Sequence, residues 1–588
     1  MPAQVTKPCL VQTGQGFSLS YNGRFLYSKY APQKAIVQTV ANLVLLPGTL
    51  ILCASPCLWY GLSELLAKLP ENSFVLGIEA DENLHELAAK GLEDFRNRCS
   101  CAEAQTPMKS AFPLDLLAPD ELLDIAEIMY QGKTRHGSVL PPVHTFRRAL
   151  LLEMSGGTAL HAELYRQIDG AAENAIASFW KNRLTLTKLG RLFSRNVFHN
   201  LAALPRSTPL SAYLKKISRP IIVFGAGESA ETTIKSLSPE AWKDYFVLAV
   251  DAALPVLTQS GIQIDGIVAV ESQLAIEKAY IGSAPCLMPE KGQIPILFAD
   301  ISSRQQVTNH TQGEVCYFAS KFADTGFLSD LQAKEFFPPQ IPALGSVGLT
   351  ATYLSLQLRK SNDIPVYVTG LDFSFSLGLT HTRGAPAHIA RLSKSNRLAP
   401  PANYDAAFRI GAHFAAGKNG CVCTDTALSG YAQQFAGFFC GVKNLFDIGK
   451  SGLSLGLPFV TFGTDGHMEA ENSLHEGRKC NASQKIKESG QGLDRKEGLT
   501  QHVEAFFEQE RKALLRLKDL LMHGESVKST KMSVQEEIGG LLARREYLYL
   551  HFPDGYECRP SDLGFLKRVR NEIDFFLKDI ESSGCRCV

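Results

Sequence analysis

Apolar and polar residues alternate along the chain in blocks whose period changes, and these blocks predict the elements. Continuous apolar runs of four to six residues bounded by turn formers read as strands buried on both faces, and 3.6-residue periodicity reads as helix. From residue 205 the two types alternate regularly. Strands are expected at Ile221 to Phe224, Phe246 to Val250, Gly266 to Val270, Ile294 to Ala299, Val315 to Ala319 and Val366 to Thr369, with helices from Ala230, Ala252 and Gln273 and from Gly345 through Leu358. Strands alternating with helices over short connections predict a parallel, doubly wound α/β sheet, in which ligands sit beyond the carboxyl ends of the strands. An earlier segment has the same rhythm, with apolar Leu50 to Ala54, then FVLGIEAD and a helical run from Glu82 to Phe95.

The fold class expected is therefore α/β: a doubly wound Rossmann-like central domain with an N-terminal α/β domain and a C-terminal α-helical domain. The boundaries read as 1–150 for the N-terminal domain, 151–204 for a helical connector, 205–465 for the central domain, 466–500 for a polar linker and 501–588 for the helical domain. In the N-terminal domain, Glu79 or Asp81 stands where such a unit binds ribose. Its first turn, Cys53-Ala54-Ser55-Pro56-Cys57, has no glycine until Gly61. That favours a structural remnant over a working cofactor site.

Composition narrows the function classes. Lys and Arg number 60 against 59 Asp and Glu, so no global charge draws the chain to nucleic acid or to an anionic membrane. No apolar run is long enough to span a bilayer and no leader pattern opens the sequence, which points to a cytoplasmic protein. The 14 cysteines are scattered without paired Cys-x-x-Cys spacing and read as reduced thiols rather than as a metal site. Cys585-Arg586-Cys587-Val588 does not fit a prenylation box, because Arg586 is not aliphatic.

The candidate chemistry lies at the strand ends. Gly225-Ala226-Gly227-Glu228-Ser229 follows the first central strand and opens a helix, an arrangement that suits either a phosphate or nucleotide, or close packing of helix on sheet. Asp251, Glu271 and Asp372 each fall just past a strand, where they could face one crevice with that turn and with Gly345-Ser346-Val347-Gly348. Asp251 reads equally as a helix cap or a ribose ligand, and Ser346 equally as a cap or a phosphate ligand. After Val366 to Thr369, one irregular loop gathers Asp372, Thr380, His381, Arg383 and Gly384. Residues there could move protons or hold phosphate.

Four blocks in order, GAGES, VDAALPVLTQSGIQIDGIVAVE, LGSVGLTATYLSLQL and GLDFSFSLGLTHTRG, resemble the domain shared by the Maf (motility-associated factor) flagellin glycosyltransferases and the MptE-like 6-hydroxymethylpterin pyrophosphokinases. Flanking segments such as GRFLYSKYAPQKA and DIGKSG are similar to the longer Maf proteins. Glu228 and Ala230 replace a usual proline and leucine, and Glu271 stands where aspartate is expected. The resemblance implies inverting transfer of a nonulosonic acid, of pseudaminic or legionaminic type, from its CMP-sugar donor to Ser or Thr of flagellin, with no obligatory metal. It further implies that Gly225, Gly227, Ser229, Gly345, Ser346 and Thr380 hold nucleotide phosphate or ribose. Asp251 or Glu271 would contact cytidine or sugar, and His381 would be base or phosphate partner, oriented by Asp372. The alternatives are a pyrophosphokinase taking ATP with Mg²⁺ on Asp372 and Glu271, or a catalytically silent flagellin-binding scaffold.

Overall fold

The computed structural model describes residues 7–102, 113–137, 139–238, 240–288, 293–376, 379–398, 411–462, 468–470, 495–523 and 531–584. The expected linker 466–500 lies outside them apart from the strand Met468–Ala470 and the start of the helix Arg495–His523. The terminal Cys585 to Val588 lies outside altogether. The described chain divides into two compact units, 1–185 and 186–588.

The first unit begins with a three-stranded antiparallel sheet of β1 (Cys9–Thr13), β2 (Gly16–Tyr21) and β3 (Arg24–Phe25). A parallel sheet follows, made of β4 (Thr49–Ala54), β5 (Phe74–Ile78), β6 (Leu114–Leu117) and β7 (Arg148–Glu153) in the order β6-β5-β4-β7. At its carboxyl edge Glu79 is fully buried and accepts from Ser55 Oγ (2.7 Å), Tyr165 Oη (2.9 Å) and the Asp81 N–H (3.1 Å). Asp81 in turn accepts from Tyr21 Oη and caps the helix Glu82–Ala102 through Asn83 and Leu84. Both acids thus serve the unit's own side chains and backbone.

The second unit is built on eight parallel strands: β8 (Ile221–Phe224), β9 (Phe246–Val250), β10 (Gly266–Ala269), β11 (Ile296–Asp300), β12 (Val315–Ser320), β13 (Gln340–Ile341), β14 (Val366–Thr369) and, after the hairpin β15 (Ala412–Gly417) and β16 (Gly420–Asp425), β17 (Leu445–Asp447). Their order is β13-β12-β11-β10-β9-β8-β14-β17. The chain therefore walks outward from β8 in one direction and returns on its other side. The strand order reverses between β8 and β14, and at such a switch point the loops leave in opposite directions and open a crevice.

Every residue of β8, β9, β10 and β14 is buried, which explains their unbroken apolar sequence. The helix Val347–Leu358 packs on β8, β9, β10 and β14, so it too is apolar nearly all round. The helices Arg495–His523 and Leu563–Gly584 join the same core through Phe507 and Phe576, Lys531–Leu542 through Ile538 and Leu542, and the short turn Glu546–Leu548 through Tyr547; the rings of Phe507, Tyr547 and Phe576 meet Phe198.

Candidate functional site at the strand-order reversal

β8 and β14 pair in register, with Val223 opposite Val368 and Phe224 opposite Thr369, so Gly225 and Gly370 leave the sheet level with each other. The two turns bond directly: the Gly225 N–H donates to Thr369 O at 2.8 Å and the Gly227 N–H to Gly370 O at 2.8 Å. A Cβ on Gly225 would overlap the Gly370 carbonyl, and one on Gly227 would stand 2.7 Å from that oxygen and 2.8 Å from Asp372 Cγ. These glycines are required by contact between turns.

Asp372 lies at the start of the loop after β14 and is buried. Its Oδ2 accepts the Ser229 N–H at 2.8 Å, its Oδ1 bonds the Ser229 hydroxyl, and the same hydroxyl accepts the Gly370 N–H at 2.9 Å. An internal carboxylate therefore stands at the start of the short helix Ser229–Ile234, where a glycine-turn reading places a phosphate. Burial pushes the Asp372 carboxyl up to about 6, against the bonds from Ser229 and the charge of Lys418. Lys418, at the tip of the β15–β16 hairpin, pairs with buried Asp447 at 2.5 Å and donates to Gly449 O at 3.1 Å. Gly452, with φ +95°, lets the chain cross Asp372, since a Cβ there would be 2.5 Å from Asp372 Cα.

This revises the expected roles of Gly225, Gly227, Ser229 and Asp372. The Ser229 N–H and hydroxyl are committed to Asp372, which leaves neither for a ligand phosphate. Asp372 does not orient His381: its side-chain bonds go to Ser229 and, at 3.5 Å, Ser451, while His381 Nδ1 lies 3.3 Å from Thr380 Oγ1. The reason is depth, because Asp372 is sealed beneath the turn whereas His381 is only half-buried in the loop above it.

That loop is held by the turn it covers. The Thr382 N–H donates to Ala226 O at 2.9 Å, and Glu231 accepts the Arg383 N–H at 2.8 Å and its guanidinium at 2.7 Å. The Ser376 hydroxyl bonds Glu228. The carboxylate unexpected in the glycine turn is thus a loop anchor. Although partial burial opposes it, the bonds and charge of Arg383 hold Glu231 below the usual carboxylate range. His381 is lowered from the usual imidazole range by burial first, then by the guanidinium charge of Arg391, with His388 adding to the shift. The shift favours the neutral imidazole at pH 7.

Asp251 and Glu271 form a second group past β9 and β10. Asp251 is buried and its Oδ1 accepts the Ala252 N–H at 2.7 Å, but its Oδ2 has no hydrogen-bond partner among the described residues. Burial raises it to about 7, with the nearby Glu271 charge adding to the shift. Glu271 is exposed and accepts the Gln273 N–H at 2.9 Å. The three acids do share one sheet edge, yet this group has no hydrogen bond or ion pair with that of Asp372 among the described residues. Ser346 caps its own helix by accepting the Gly348 N–H at 3.2 Å, and the Gly345 N–H goes to Gln434 Oε1. Among the described residues no group of three or more His, Cys, Asp or Glu is placed to hold a metal ion, and no helix is long and apolar enough to cross a membrane.

Sequence reasoning did not single out Glu231, Lys418 or Arg391. Only Arg391 has a signal, the run 373–404, which holds four Arg or Lys and no Asp or Glu.

Comparison with known proteins bears on the same region. Residues 195–378 match the family described as 6-hydroxymethylpterin diphosphokinase MptE-like. Along its length the chain is 30% identical to an uncharacterized protein of Treponema pallidum (strain Nichols), over 97% of this chain and 94% of that one. Among solved structures, a MAf glycosyltransferase from Magnetospirillum magneticum AMB-1 superposes with a TM-score of 0.50 at 13% identity, covering 99% of this chain and 93% of that chain. At that identity the likeness is one of fold.

Proposed function

We propose that this chain, which belongs to one family with the uncharacterized Treponema pallidum protein and matches the MptE-like family over residues 195–378, is a cytoplasmic glycosyltransferase. It moves a nonulosonic acid, pseudaminic or legionaminic in type, from a CMP-sugar to Ser or Thr hydroxyls of flagellin in support of motility. The observation that carries this reading is His381, a neutral imidazole held over the strand-order reversal with Nδ1 on Thr380. With Nδ1–H donating to Thr380 Oγ1, Nε2 is left to take a proton.

The acceptor hydroxyl attacks the anomeric carbon of the sugar, its proton passes to His381 Nε2, and the bond from that carbon to the phosphate oxygen breaks with its electron pair leaving on CMP. Inversion follows from attack opposite the departing phosphate. The unpartnered Oδ2 of Asp251 offers an acceptor for a hydroxyl or amino group of cytidine or sugar, with Glu271 at the solvent side of the same edge. Asp372 positions the turn and the loop above it. No metal is obligatory on this reading, since the proton goes to His381 and the departing negative charge to cationic side chains.

The test is intact-mass analysis of flagellin incubated with the purified protein and CMP-activated nonulosonic acid. Added mass in multiples of the sugar is expected. No added mass from soluble, folded protein would end the proposal.

The match to the MptE-like family favours one second reading, a diphosphotransferase acting on a pterin-type hydroxymethyl group with ATP and Mg²⁺. Its expected ligand pair does not come together, because Asp372 is bonded beneath Ser229 while Glu271 is exposed past β10. Thermal stabilisation by ATP with Mg²⁺, but not by CMP or CDP, would decide in its favour.

A further inference from the structure

The loop above the crevice continues into the helix Pro386–Leu392, and its cations are not equivalent. Arg383 is 70% exposed and paired with Glu231. Lys394 and Arg397 are exposed to solvent. Arg391 differs from all three: it is half-buried, its Nη1 is shut off from solvent without a hydrogen-bond partner, and no carboxylate among the described residues pairs with it. Its charge acts on His381. A buried guanidinium nitrogen without an acceptor is costly unless a ligand supplies one.

We infer that Arg391 is the anion-holding residue of this crevice, taking a phosphate oxygen of the nucleotide donor or the carboxylate of the sugar. Three observations favour an anion. The run 373–404 around it in sequence carries no acid, and no described carboxylate pairs with the guanidinium. The start of the helix after the glycine turn is already filled by Asp372, so phosphate must be met elsewhere. A planar guanidinium presents paired donors that match a phosphate or carboxylate. Beside His381 the anion would lie within reach of the group that takes the acceptor proton, so the leaving charge and the proton acceptor would be neighbours. The inference rests on the transferase reading only for the identity of the anion.

The test is calorimetric titration of the full-length protein, as wild type, Arg391→Gln, Arg391→Lys and Lys394→Gln, with CMP, cytidine, free N-acetylneuraminic acid and inorganic pyrophosphate. Loss of a charged hydrogen bond is expected to weaken CMP about 10- to 100-fold in Arg391→Gln while cytidine binds unchanged. Lys should restore part of the affinity, and Lys394→Gln should bind as wild type. Weakening of N-acetylneuraminic acid without weakening of CMP would assign the guanidinium to the sugar carboxylate, and the reverse to the phosphate. Should Arg391→Gln fold poorly, the comparison of Arg391→Lys with Lys394→Gln carries the decision. If neither CMP nor N-acetylneuraminic acid binds the wild type, the transferase reading falls, and pyrophosphate decides for Arg391 alone: binding weakened by Arg391→Gln keeps the anion site. Anion affinities equal in wild type and Arg391→Gln, an equal loss in Lys394→Gln, or no anion binding by wild type would each overturn it.

Discussion

Asp372 and Ser229, 143 positions apart, make a double bond of contact: the carboxylate takes both the backbone N–H and the hydroxyl of the serine. The loop after one strand thus caps the helix that follows its neighbour. Removing the hydroxyl leaves a buried carboxylate oxygen and the Gly370 N–H without a partner. Ser229→Ala is expected to cost about 1–3 kcal/mol, read as a lower melting temperature. A melt unchanged from wild type would show that Ser229 does not hold these turns.

Gly225→Ala and Gly370→Ala should each be far more damaging, on the order of 4 kcal/mol or more, because the new methyl meets backbone that cannot yield. Gly14→Ala, with nothing within 4 Å, is the control. Soluble expression and thermal melts of the three variants separate a packing requirement from a ligand requirement, since the loss should appear with no ligand present.

Much of this arrangement was legible in sequence, and the parts that were not have physical causes. Strands buried on both faces write themselves as apolar runs, so β8, β9 and β14 stand out within a residue of their observed ends. The acids past them were visible for the same reason, as the first polar residue after each run. What each acid touches was not visible. Burial depth decides whether Asp372 orients a histidine or caps a helix, and depth is set by turns arriving from distant sequence. Ser229 meets Asp372 through the pairing of β8 with β14, a relation that no local spacing encodes. Glu228 looked out of place beside a phosphate and is at ease beside Ser376. Arg391 was silent because an unpaired cation is recognised only when its surroundings are known.

Asp251 gives a pH test. Its carboxyl is raised from 3.8 to about 7 in the folded protein, so the folded state holds the proton more tightly than the unfolded state. Stability is therefore lost as pH rises from about 4 through 7 and levels off above. Asp251→Asn lacks this loss, and relative to wild type it should gain about 3 kcal/mol between pH 5 and pH 8. Thermal melts at the two pH values check it; parallel behaviour of the two proteins would refute the assigned burial.

His381→Ala should lower transfer about 100-fold or more, the usual range for losing a positioned base. In the wild type the rate should rise through a pKa below 6.5 and be flat from pH 7 to 8, because the imidazole must be neutral to accept the proton. Arg391→Gln removes a positive charge that acts on His381, so the rising limb should move to higher pH. Rate profiles across this range check both points, and transfer by His381→Ala at the wild-type rate would remove the histidine from the mechanism.

Glu231→Gln breaks the ion pair with Arg383, whose side chain is 70% exposed. An exposed partner limits the cost to about 1 kcal/mol or less. Transfer should suffer more than stability, because the loop bearing His381 loses an anchor. Melting temperature and rate, measured on one preparation, show whether the two losses part as expected.

Those anchors have a mechanical consequence. Ala226, Glu228 and Glu231 hold the loop at three successive points of the turn and of the helix it opens. A ligand that draws His381 inward must therefore strain the same backbone that Asp372 pins from below. Any inward movement of the loop and the rigidity of the sheet edge are in that sense one property, so a substitution that loosens the edge also blurs the position of the imidazole.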